Sequence, residues 1–421
     1  MWKGVHALNI LKYHFTTMSK IIIMSKKIYY ITRSFYPYQS GGGPLIRKSA
    51  VEWMERQGFK VVVVMPNYES NKIIMDENMI QIPYQSAVSK WSKLLIRKDH
   101  LLTRIGINDD YLDSWVDSAY NKLVKVIKKN DTIFSTTGGE LGCIKLGGML
   151  KEKLGCKHVV NYHDPINHTL VFGLKVNKKF HVSREENESK YISKSDMIIT
   201  SSKTNAGSLI EKYPYLKSKI KNNYFGYIVD AKPEEIIKKK STRLRIAYSG
   251  SMDSKTQTPE LLLDLYRMLK DEMDLEIYFI GDASSNEKIY DLDGNVNIMG
   301  LMPHDEYMSF MTENIDIGFV SLGDEYFKAC VPSKIYEYIN LHLPIIGVLP
   351  EGDAKAIVND NQFGKIVSKQ ELGELRDYVI GLKDPSNLNV LTKNVISKRN
   401  LWSMEYTSKE LKSLLKMIEN S

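Results

Sequence analysis

Three residues of the types that bind phosphates and sugar hydroxyls, Ser333, Lys334 and Glu337, lie close together in the stretch "VPSKIYEYINLHLPIIG" (residues 331–347). Pro332 suits the first turn of a helix, which would bring Lys334 and Glu337 onto one helical face. The N-terminus of a helix favours phosphate, because its free N–H groups and its dipole are positive there. Lys334 would add charge to such a site, and Glu337 could accept hydrogen bonds from sugar hydroxyls. The alternative is a surface salt bridge between Lys334 and Glu337, and this window by itself leaves the two about equal.

Apolar runs on either side predict the strands that would position this helix. Residues 315–322 form a continuous apolar run of strand length, and residues 344–348 form a shorter one. A similar alternation of strand and helix patterns begins near residue 27 and restarts near residue 245. Strands that are apolar on both faces and are separated by helices predict parallel sheets covered by helices on both sides. The sequence therefore predicts an α/β protein with two parallel-sheet halves.

The individual elements follow from apolar periodicity and from Gly or Pro boundaries. The first half has predicted strands beginning at residue 27 and covering 59–66, 131–136, 157–163 and 196–202, with a helix at 45–58. The second half has predicted strands at 245–251, 275–282, 296–300, 315–322 and 344–348, with helices at 258–269 and 403–420.

The same pattern divides the chain into segments. We expect residues 1–24 to be an extension outside the fold, because Met18 and Met24 are alternative starts. The remaining expected segments are a first domain at 25–230, a lysine-rich linker at 231–243, a second domain at 244–400 and a C-terminal helix at 401–421 that packs back on the first domain.

Composition and charge limit the classes of protein. A chain of 421 residues is too long for most single domains, and 43% hydrophobic with 26% charged residues is ordinary for a soluble globular protein. The net charge of +8 favours anionic partners, either phosphorylated substrates or a membrane surface, whereas no nucleic-acid-binding module accompanies it. Three cysteines without metal-ligand spacing fit a reducing cytosol and predict no zinc site. No apolar run approaches about 18 residues, so no membrane-spanning helix is predicted.

Two short motifs have ordinary explanations beside functional ones. The stretch "SGGGP" (residues 40–44) would let a backbone approach a ligand closely, but glycine runs are often only turns. Asp291 and Asp293 have the spacing of a metal-binding pair, although the adjacent Gly294 and Asn295 make a turn the better explanation. The chain contains neither a P-loop nor a strand followed by G-x-G-x-x-G, which disfavours a P-loop NTPase and a standard dinucleotide fold.

Residues 88–106 predict a basic amphipathic helix. Its cationic face carries Lys90, Lys93, Arg97, His100 and Arg104. Trp91 and several leucines fill the opposite face, which is typical of an element that lies on an anionic membrane surface. A core-facing helix with a solvated cationic side is at least as common, so both interpretations stay open.

Several motifs in a fixed order resemble those of the GT-B glycosyltransferases, specifically the retaining family 4 of bacterial polysaccharide synthesis. Glu337 is followed seven positions later by "PII", as the second glutamate of that family's paired-glutamate motif is. "IGD" (280–282), "NVNIMGLMPHDEYMSFM" (295–311) and "DIGFV" (316–320) keep the family's order and spacing. "HD" (163–164) and "SGGGP" occupy the places of its active-site and glycine loops. The resemblance covers nearly the whole chain after Met24.

The resemblance implies a fold, an activity and partners. It implies two Rossmann-like domains facing across a cleft, of which the first binds the acceptor and the second binds a nucleotide diphosphate sugar. The implied reaction moves that sugar, with retention, to a saccharide or lipid-linked saccharide in cell-surface polysaccharide synthesis. It needs no metal and no cofactor, because the nucleotide sugar is the substrate. The implied location is cytoplasmic. Because acceptors of the family are often lipid-linked sugars at the inner face of the membrane, the resemblance favours peripheral docking by the amphipathic helix, whose membrane-facing candidates are Lys90, Trp91, Lys93 and Arg97.

The resemblance also assigns site residues. The catalytic candidates are His163 and Asp164, although a hydrogen-bonded histidine at a strand end is an alternative for His163. The donor-binding candidates are Gly42, Gly43, Ser251, Lys255, Gly281, Met302, Ser333, Lys334 and Glu337. The departing pyrophosphate could itself take the acceptor proton, so two protein carboxylates are not required.

Three positions depart from the family pattern. Ala329 stands where the first glutamate of the pair would be, Ser251 where an arginine is usual, and His342 where a glycine is usual. Ala329 supports an alternative in which the chain keeps the fold but serves as a binding subunit without turnover. A sugar-nucleotide epimerase is a third hypothesis, for which no acidic and histidine catalytic residues can be assigned.

Overall fold

The computed structural model describes residues 26–39, 41–166, 182–228, 241–252, 257–284, 286–290, 294–323 and 327–419. The expected extension at 1–24, most of the linker at 231–243, Lys255 and the pair Asp291 and Asp293 lie outside these residues.

The first half of the chain forms one eight-stranded sheet in the order β3-β4-β2-β1-β5-β6-β7-β8. All neighbours are parallel except β3 and β4, which are antiparallel. Its central strands are buried on both faces because their residues are largely β-branched or aromatic. The strands are β1 (Lys27–Ile31), β2 (Lys60–Asn67), β3 (Ile74–Met75), β4 (Met79–Pro83), β5 (Thr132–Gly138), β6 (Lys157–Asp164), β7 (Met197–Thr200) and β8 (Ile220–Asn222).

Helices cover this sheet. They are α1 (Gly42–Arg56), α2 (Gln85–Val88), α3 (Ser92–Arg104), α4 (Asp113–Leu123), α5 (Gly142–Leu154), α6 (Val182–Ile192) and α7 (Lys203–Lys212). The helix predicted at 45–58 begins three residues earlier, because Gly41 takes a φ of 109° and lets the chain turn directly into the helix at Gly42. The helix predicted at 88–106 is shorter in the structure: it corresponds to α3, with Trp91 immediately before it, while Val88 ends the separate helix α2.

The second half forms a six-stranded, all-parallel sheet in the order β11-β10-β9-β12-β13-β14. Its strands are β9 (Leu244–Ser249), β10 (Leu275–Ile280), β11 (Val296–Gly300), β12 (Ile317–Ser321), β13 (Ile345–Val348) and β14 (Gly364–Val367). The helices of this half are α8 (Glu260–Leu269), α9 (His304–Asn314), α10 (Ser333–Asn340), α11 (Asp353–Asp360), α12 (Leu372–Gly381), α13 (Pro385–Lys398) and α14 (Met404–Glu419). Strand β14 is not among the predicted strands, since its four residues carry too short an apolar run.

The last helix crosses to the first sheet. Leu411 and Leu415 of α14 are buried in the same apolar cluster as Val51 and Met54 of α1. Just before α14, Tyr227 pairs with Ser403 in an isolated parallel bridge. The C-terminal helix therefore contributes to the core of the first half of the chain.

In each sheet, the order in which the chain adds strands reverses beside the first strand. In the first sheet the chain moves from β1 to β2 on one side and later returns to β5 on the other; in the second, β9 lies between β10 and β12 in the same way. Where successive connections depart to opposite sides, the carboxyl ends of the two strands border a crevice in which ligands bind. Ligand-binding crevices are therefore expected at the carboxyl ends of β1 and β5 and at those of β9 and β12.

Candidate functional site

Helix α10 opens at the crevice of the second sheet. Pro332 precedes it with an extended ψ of 134°, and the helix begins at Ser333 as the sequence predicts. The side chain of Lys334 passes over the loop after β9, where a Cβ on Gly250 would lie 3.7 Å from Lys334 Cε. Lys334 Nζ also lies 4.7 Å from the centroid of the Tyr307 ring. The lysine thus lies at the mouth of the crevice rather than on the outer surface.

Lys334 and Glu337 form the i,i+3 ion pair that the sequence offered as an alternative to a binding site. Lys334 Nζ is 2.9 Å from both carboxylate oxygens of Glu337, and the two side chains are 28% and 24% exposed. Glu337 nevertheless borders a cavity of about 130 Å³, together with His304, Asn340 and Gly42. The two residues therefore form an ion pair with each other and also lie at the cleft, as a binding site would require.

Hydroxyl groups form the floor beneath this ion pair. Ser249 Oγ is 2.8 Å from Tyr307 Oη and 3.0 Å from Tyr338 Oη, and all three residues are buried. Burial, and secondly the charge of Glu337, raises the pKa of Tyr307 well above its usual range. These hydrogen bonds fix helix α10 against the end of β9, so the position of the Lys334–Glu337 pair is set by the core.

His163 and Asp164 end strand β6 and face the second half of the chain. The His163 ring lies 4.3 Å from the Phe225 ring, and the His163 carbonyl accepts a hydrogen bond from Ser201 Oγ at 2.6 Å. Burial, and next the Asp164 carboxylate as charge and hydrogen-bond partner, raises the pKa of the Cys330 thiol far above its usual range. Asp164 therefore contacts the loop that leads into α10.

A cavity of about 560 Å³ lies at the crevice of the first sheet. Its lining includes Arg33, Ser34, Arg47, Tyr68, Tyr84, His100, Tyr111, Gly138, His163 and Asp164. Arg33, Arg47, Tyr68 and Tyr111 are not among the residues predicted from the sequence for a site. The position of Arg33 directly after the first strand is the one signal that could have indicated it, since loops after strands of parallel sheets carry ligands.

Candidates from both halves meet at a third cavity, of about 180 Å³. Gly42, Gly43, His163 and Asp164 line it from the first half, and Ser333 lines it from the second. A Cβ on Gly42 would lie 3.8 Å from Ser333 Oγ. The glycine turn of one domain therefore touches the first turn of α10 in the other, and the sequence-predicted residues on both sides of the cleft are brought together.

The remaining donor candidates lie apart from these cavities or serve packing. Ser251 is exposed in the loop after β9. Gly281 has a φ of 148°, and a Cβ there would lie 2.1 Å from the Gly250 carbonyl oxygen, so glycine permits the close approach of two loops. Met302 is half-buried against an apolar cluster of the second domain.

Helix α3 leaves part of its apolar side exposed to solvent. Its buried residues are Asp99 and Thr103, and Asp99 Oδ2 accepts a hydrogen bond of 2.7 Å from Tyr84 Oη. Leu94 and Leu101 are 63% and 55% exposed, and Trp91 just before the helix is 71% exposed. Ile96 of the same helix packs against the core of the first half, so α3 faces the core in part and neither interpretation of this helix is excluded.

The described residues contain neither a metal-binding cluster nor a membrane-spanning helix. Within this part of the chain, no group of three or more His, Cys, Asp or Glu side chains is arranged to hold a metal ion. Over the same residues, no helix has the length and hydropathy needed to cross a bilayer.

Comparison with known proteins identifies the fold. No protein-family model matches the sequence, and no curated protein matches it. Among solved structures, WaaB, a lipopolysaccharide outer core galactosyltransferase, is 11% identical over 93% of this chain and 99% of its own, with a TM-score of 0.64. HepE from Anabaena, in complex with UDP, is 12% identical over 93% and 100%, with a TM-score of 0.61. The catalytic domain of starch synthase IV from Arabidopsis thaliana, bound to ADP and acarbose, is 11% identical over 94% and 100%, with a TM-score of 0.64.

Likeness at such low identity shows the fold. The architecture is the GT-B fold, with two parallel-sheet, Rossmann-like domains facing across a cleft, and this confirms the fold class predicted from the sequence.

Proposed function

We propose that this GT-B chain is a glycosyltransferase that binds a nucleotide diphosphate sugar against its second domain and passes the sugar to an acceptor held by its first domain. The observation that carries the proposal is the cavity at which Gly42, Gly43, His163 and Asp164 of one domain meet Ser333 of the other. A transfer site needs both substrates at one point, and this cavity adjoins the crevices of both sheets. The nucleotides bound to HepE and to starch synthase IV support a nucleotide as the leaving group.

The residues at the start of helix α10 support a donor site there. Its N-terminus and Lys334 favour the diphosphate, because both offer positive charge where the leaving group gains negative charge. Lys334 is paired with Glu337, so donor binding would exchange partners: the diphosphate would take Lys334 and the ribose hydroxyls would take Glu337. Breaking the ion pair costs little free energy, since a part-exposed ion pair contributes only about 0–1 kcal/mol.

The proposed reaction is a transfer with retention, as the family resemblance implies. The bond between the anomeric carbon and the diphosphate oxygen breaks, and the acceptor hydroxyl forms the new bond from the same face, so configuration is retained. The diphosphate oxygen that leaves accepts the hydroxyl proton, which requires no pair of protein carboxylates. His163 borders both the 560 Å³ cavity of the first domain, here called the acceptor cavity, and the 180 Å³ cavity between the domains, here called the interdomain cavity. At this position it can orient the acceptor hydroxyl.

Helix α3 supports a lipid-linked acceptor and peripheral docking on a membrane. Its exposed apolar stripe, which includes Leu94 and Leu101, adjoins the cations Lys90, Lys93 and Arg97. Apolar side chains beside cations are the combination that inserts into the headgroup region of an anionic bilayer. Ile96 and His100 of the same helix line the acceptor cavity, so a docked helix would bring that cavity to the membrane.

Calorimetric titration with UDP, GDP, ADP and CMP, each with and without EDTA, tests the donor site. Nucleotide release from the matching sugar nucleotide, measured with a polyprenyl-phosphate saccharide, then tests transfer. The proposal expects saturable binding, chelator-resistant activity and release that depends on the acceptor. Binding without release would favour the binding subunit, and conversion of the donor without acceptor, seen by NMR, would favour the epimerase. Loss of activity in EDTA that Mg²⁺ or Mn²⁺ restores would contradict metal independence.

A further inference from the structure

Two arginines converge at the crevice of the first sheet. Arg33 follows β1, and Arg47 projects from the second turn of α1. A Cβ on Gly138, at the end of β5, would lie 2.6 Å from one terminal nitrogen of Arg47 and 3.8 Å from one of Arg33. Both guanidinium groups therefore reach the same point at the carboxyl ends of β1 and β5, where a doubly wound sheet binds its ligand.

The charges at this point do not balance. Arg33 Nε lies 3.1 Å from Glu140 Oε2, and the Glu140 side chain is 1% exposed. The same oxygen lies 3.7 Å from the Cβ position on Gly138, so this one carboxylate faces both arginines. Arg47 is only 3% exposed and donates a hydrogen bond to Ser34 Oγ. Among the described residues no carboxylate lies within ion-pair distance of Arg47, and its Nε has no hydrogen-bond partner there. Two guanidinium groups therefore share one buried carboxylate, and a bound anion would supply a second negative charge.

The position of Arg47 indicates what such an anion belongs to. The cavity of about 560 Å³ extends from the two arginines to His163 and Asp164, where it adjoins the interdomain cavity. This volume is typical of a small-molecule site. A molecule that fills it has one end at the arginines and the other at the proposed transfer point. The tyrosines along the walls, Tyr68, Tyr84 and Tyr111, offer flat faces for a sugar ring between the two ends.

We propose that Arg47, assisted by Arg33, binds an oxyanion carried by the acceptor, so that the acceptor substrate of this protein is an anionic saccharide bearing a phosphate or a carboxylate. A guanidinium group matches either oxyanion with two parallel hydrogen bonds. The N-terminus of α1, whose first residues Gly42 and Gly43 line the same cavity, adds its positive dipole. The description of the oxyanion as part of the acceptor rests on the proposed function; the anion site itself does not.

The test uses the full chain with inorganic phosphate and with glucuronate as probes, at constant ionic strength set with chloride. Titration should show saturable binding of one or both probes, and their relative affinity distinguishes a phosphate from a carboxylate acceptor. Arg47→Gln should weaken binding by about tenfold or more, and Arg47→Lys should weaken it less because the charge remains. Arg56→Gln removes an exposed arginine from the same helix and should match the wild type.

The unfolding temperature, measured with and without phosphate, gives an independent test of the anion site. Because Arg47→Gln removes one of two cations that share a single buried carboxylate, the variant without added anion should unfold at the same temperature as the wild type or higher, and phosphate should no longer raise that temperature. A lower melting temperature for Arg47→Gln, with no phosphate effect on the wild type, would make Arg47 a structural residue and overturn the inference.

Two further variants separate this inference from the proposed function. If phosphate binding is lost in Lys334→Gln but kept in Arg47→Gln, the anion belongs to the donor crevice and the inference is wrong. The same holds if Arg47→Gln weakens the binding of nucleoside diphosphates as much as that of phosphate. If no nucleotide binds to the wild type while phosphate binding still depends on Arg47, the proposed function fails and the anion site stands.

Discussion

The carboxylate of Asp353, in the second domain, accepts two hydrogen bonds of 2.6 Å from Thr204 in the first domain, one from its backbone N–H and one from its hydroxyl. The N–H of Lys203 donates to the other carboxylate oxygen at 2.9 Å, and the Tyr224 hydroxyl donates to it as well. The side chain of Asp353 therefore caps the N-terminus of α7 across the domain boundary, where a negative charge is favoured by the helix dipole. This contact sets how the two domains face each other on one side of the cleft.

Asp353→Asn should lower the free energy of unfolding by about 1–3 kcal/mol, because the amide loses the charge and turns one acceptor into a donor that faces N–H groups. Urea denaturation of the wild type and the variant measures the difference. Asp360→Asn, at the exposed end of the same helix, is the matched control and should change the midpoint little. Equal stability of Asp353→Asn and the wild type would mean that the contact does not hold the domains together.

The same carboxylate should make stability depend on acidity. Burial alone would raise the pKa of Asp353, but the hydrogen bonds from Thr204 and Tyr224 outweigh it and lower the pKa below its ordinary value. A group whose pKa is lower in the folded state stabilises fully above its unfolded pKa, about 4, and loses that contribution as pH falls through the folded pKa. We expect the stability difference between the wild type and Asp353→Asn to be constant above about pH 5 and to shrink below about pH 4. A difference that is unchanged at low pH would contradict this assignment.

His158 should produce a second pH dependence, at higher pH. It is completely buried, its Nε2 lies 2.9 Å from Ser135 Oγ, and burial lowers its pKa to about 3. The unfolded chain binds a proton near pH 6.5 and the folded chain does not, so stability is full above about pH 6.5 and decreases as pH falls towards 3.

The expected slope from His158 is about 1.4 kcal/mol per pH unit between these limits. His158→Gln should lose this component of the slope in chemical denaturation at several pH values, whereas His304→Gln, an exposed histidine, should keep it. An identical slope in His158→Gln and the wild type would show that His158 does not titrate this way.

Substitutions in the Lys334–Glu337 pair distinguish a donor-binding site from a purely structural salt bridge. Glu337→Ala removes charge-assisted hydrogen bonds of about 1.5–3 kcal/mol each to the ribose, while freeing Lys334 returns less than about 1 kcal/mol. Donor affinity in calorimetry should therefore fall by about tenfold. Lys334→Ala should lower turnover more than affinity, since its charge matters most as the diphosphate leaves.

The exposed pair Glu405 and Lys409 on α14 is the control for this comparison. Glu405→Ala should leave both nucleotide affinity and turnover unchanged. If Glu337→Ala binds the donor nucleotide as tightly as the wild type does, α10 is scaffold and the donor site lies elsewhere.

Charge reversal tests the membrane surface. Changing Lys90, Lys93 and Arg97 to Glu should abolish salt-sensitive binding to vesicles that contain anionic lipid, in sedimentation assays, without affecting the fold. Changing Lys369, Lys383 and Lys393 to Glu alters the same number of exposed cations on the second domain and should leave binding intact. Vesicle binding that survives the first set of changes would rule out this surface.

The exposed leucines of α3 give a complementary result. Leu101→Ser should weaken vesicle binding yet change the free energy of unfolding by less than about 0.5 kcal/mol, because Leu101 is 55% exposed. A loss of about 2 kcal/mol or more would instead identify a core residue.

Local patterns were sufficient to predict most of the elements around the candidate site. Runs of β-branched residues give strand β2 within one residue of its observed limits, 59–66 against Lys60–Asn67. Pro332 predicts a helix whose first turn contains it, and α10 begins one residue later, at Ser333. The ion pair of Lys334 and Glu337 is one of the two alternatives that their spacing offered. These features depend on neighbours a few residues apart, for which helical or strand geometry fixes the distance.

Tertiary structure alone decided which residues of the first domain form the cavity. The sequence shows that α3 has a cationic and an apolar side, but Asp99 faces the protein because Tyr84, from the end of β4, donates a hydrogen bond to it. Arg47 belongs to the regular pattern of α1, and nothing local marks it as buried. It is buried because β5 pairs with β1 and brings Gly138 against it from about 90 positions away along the chain. Periodicity fixes which side chains share a face, whereas long-range strand pairing fixes what that face meets, and the chemistry of this cleft depends on the second.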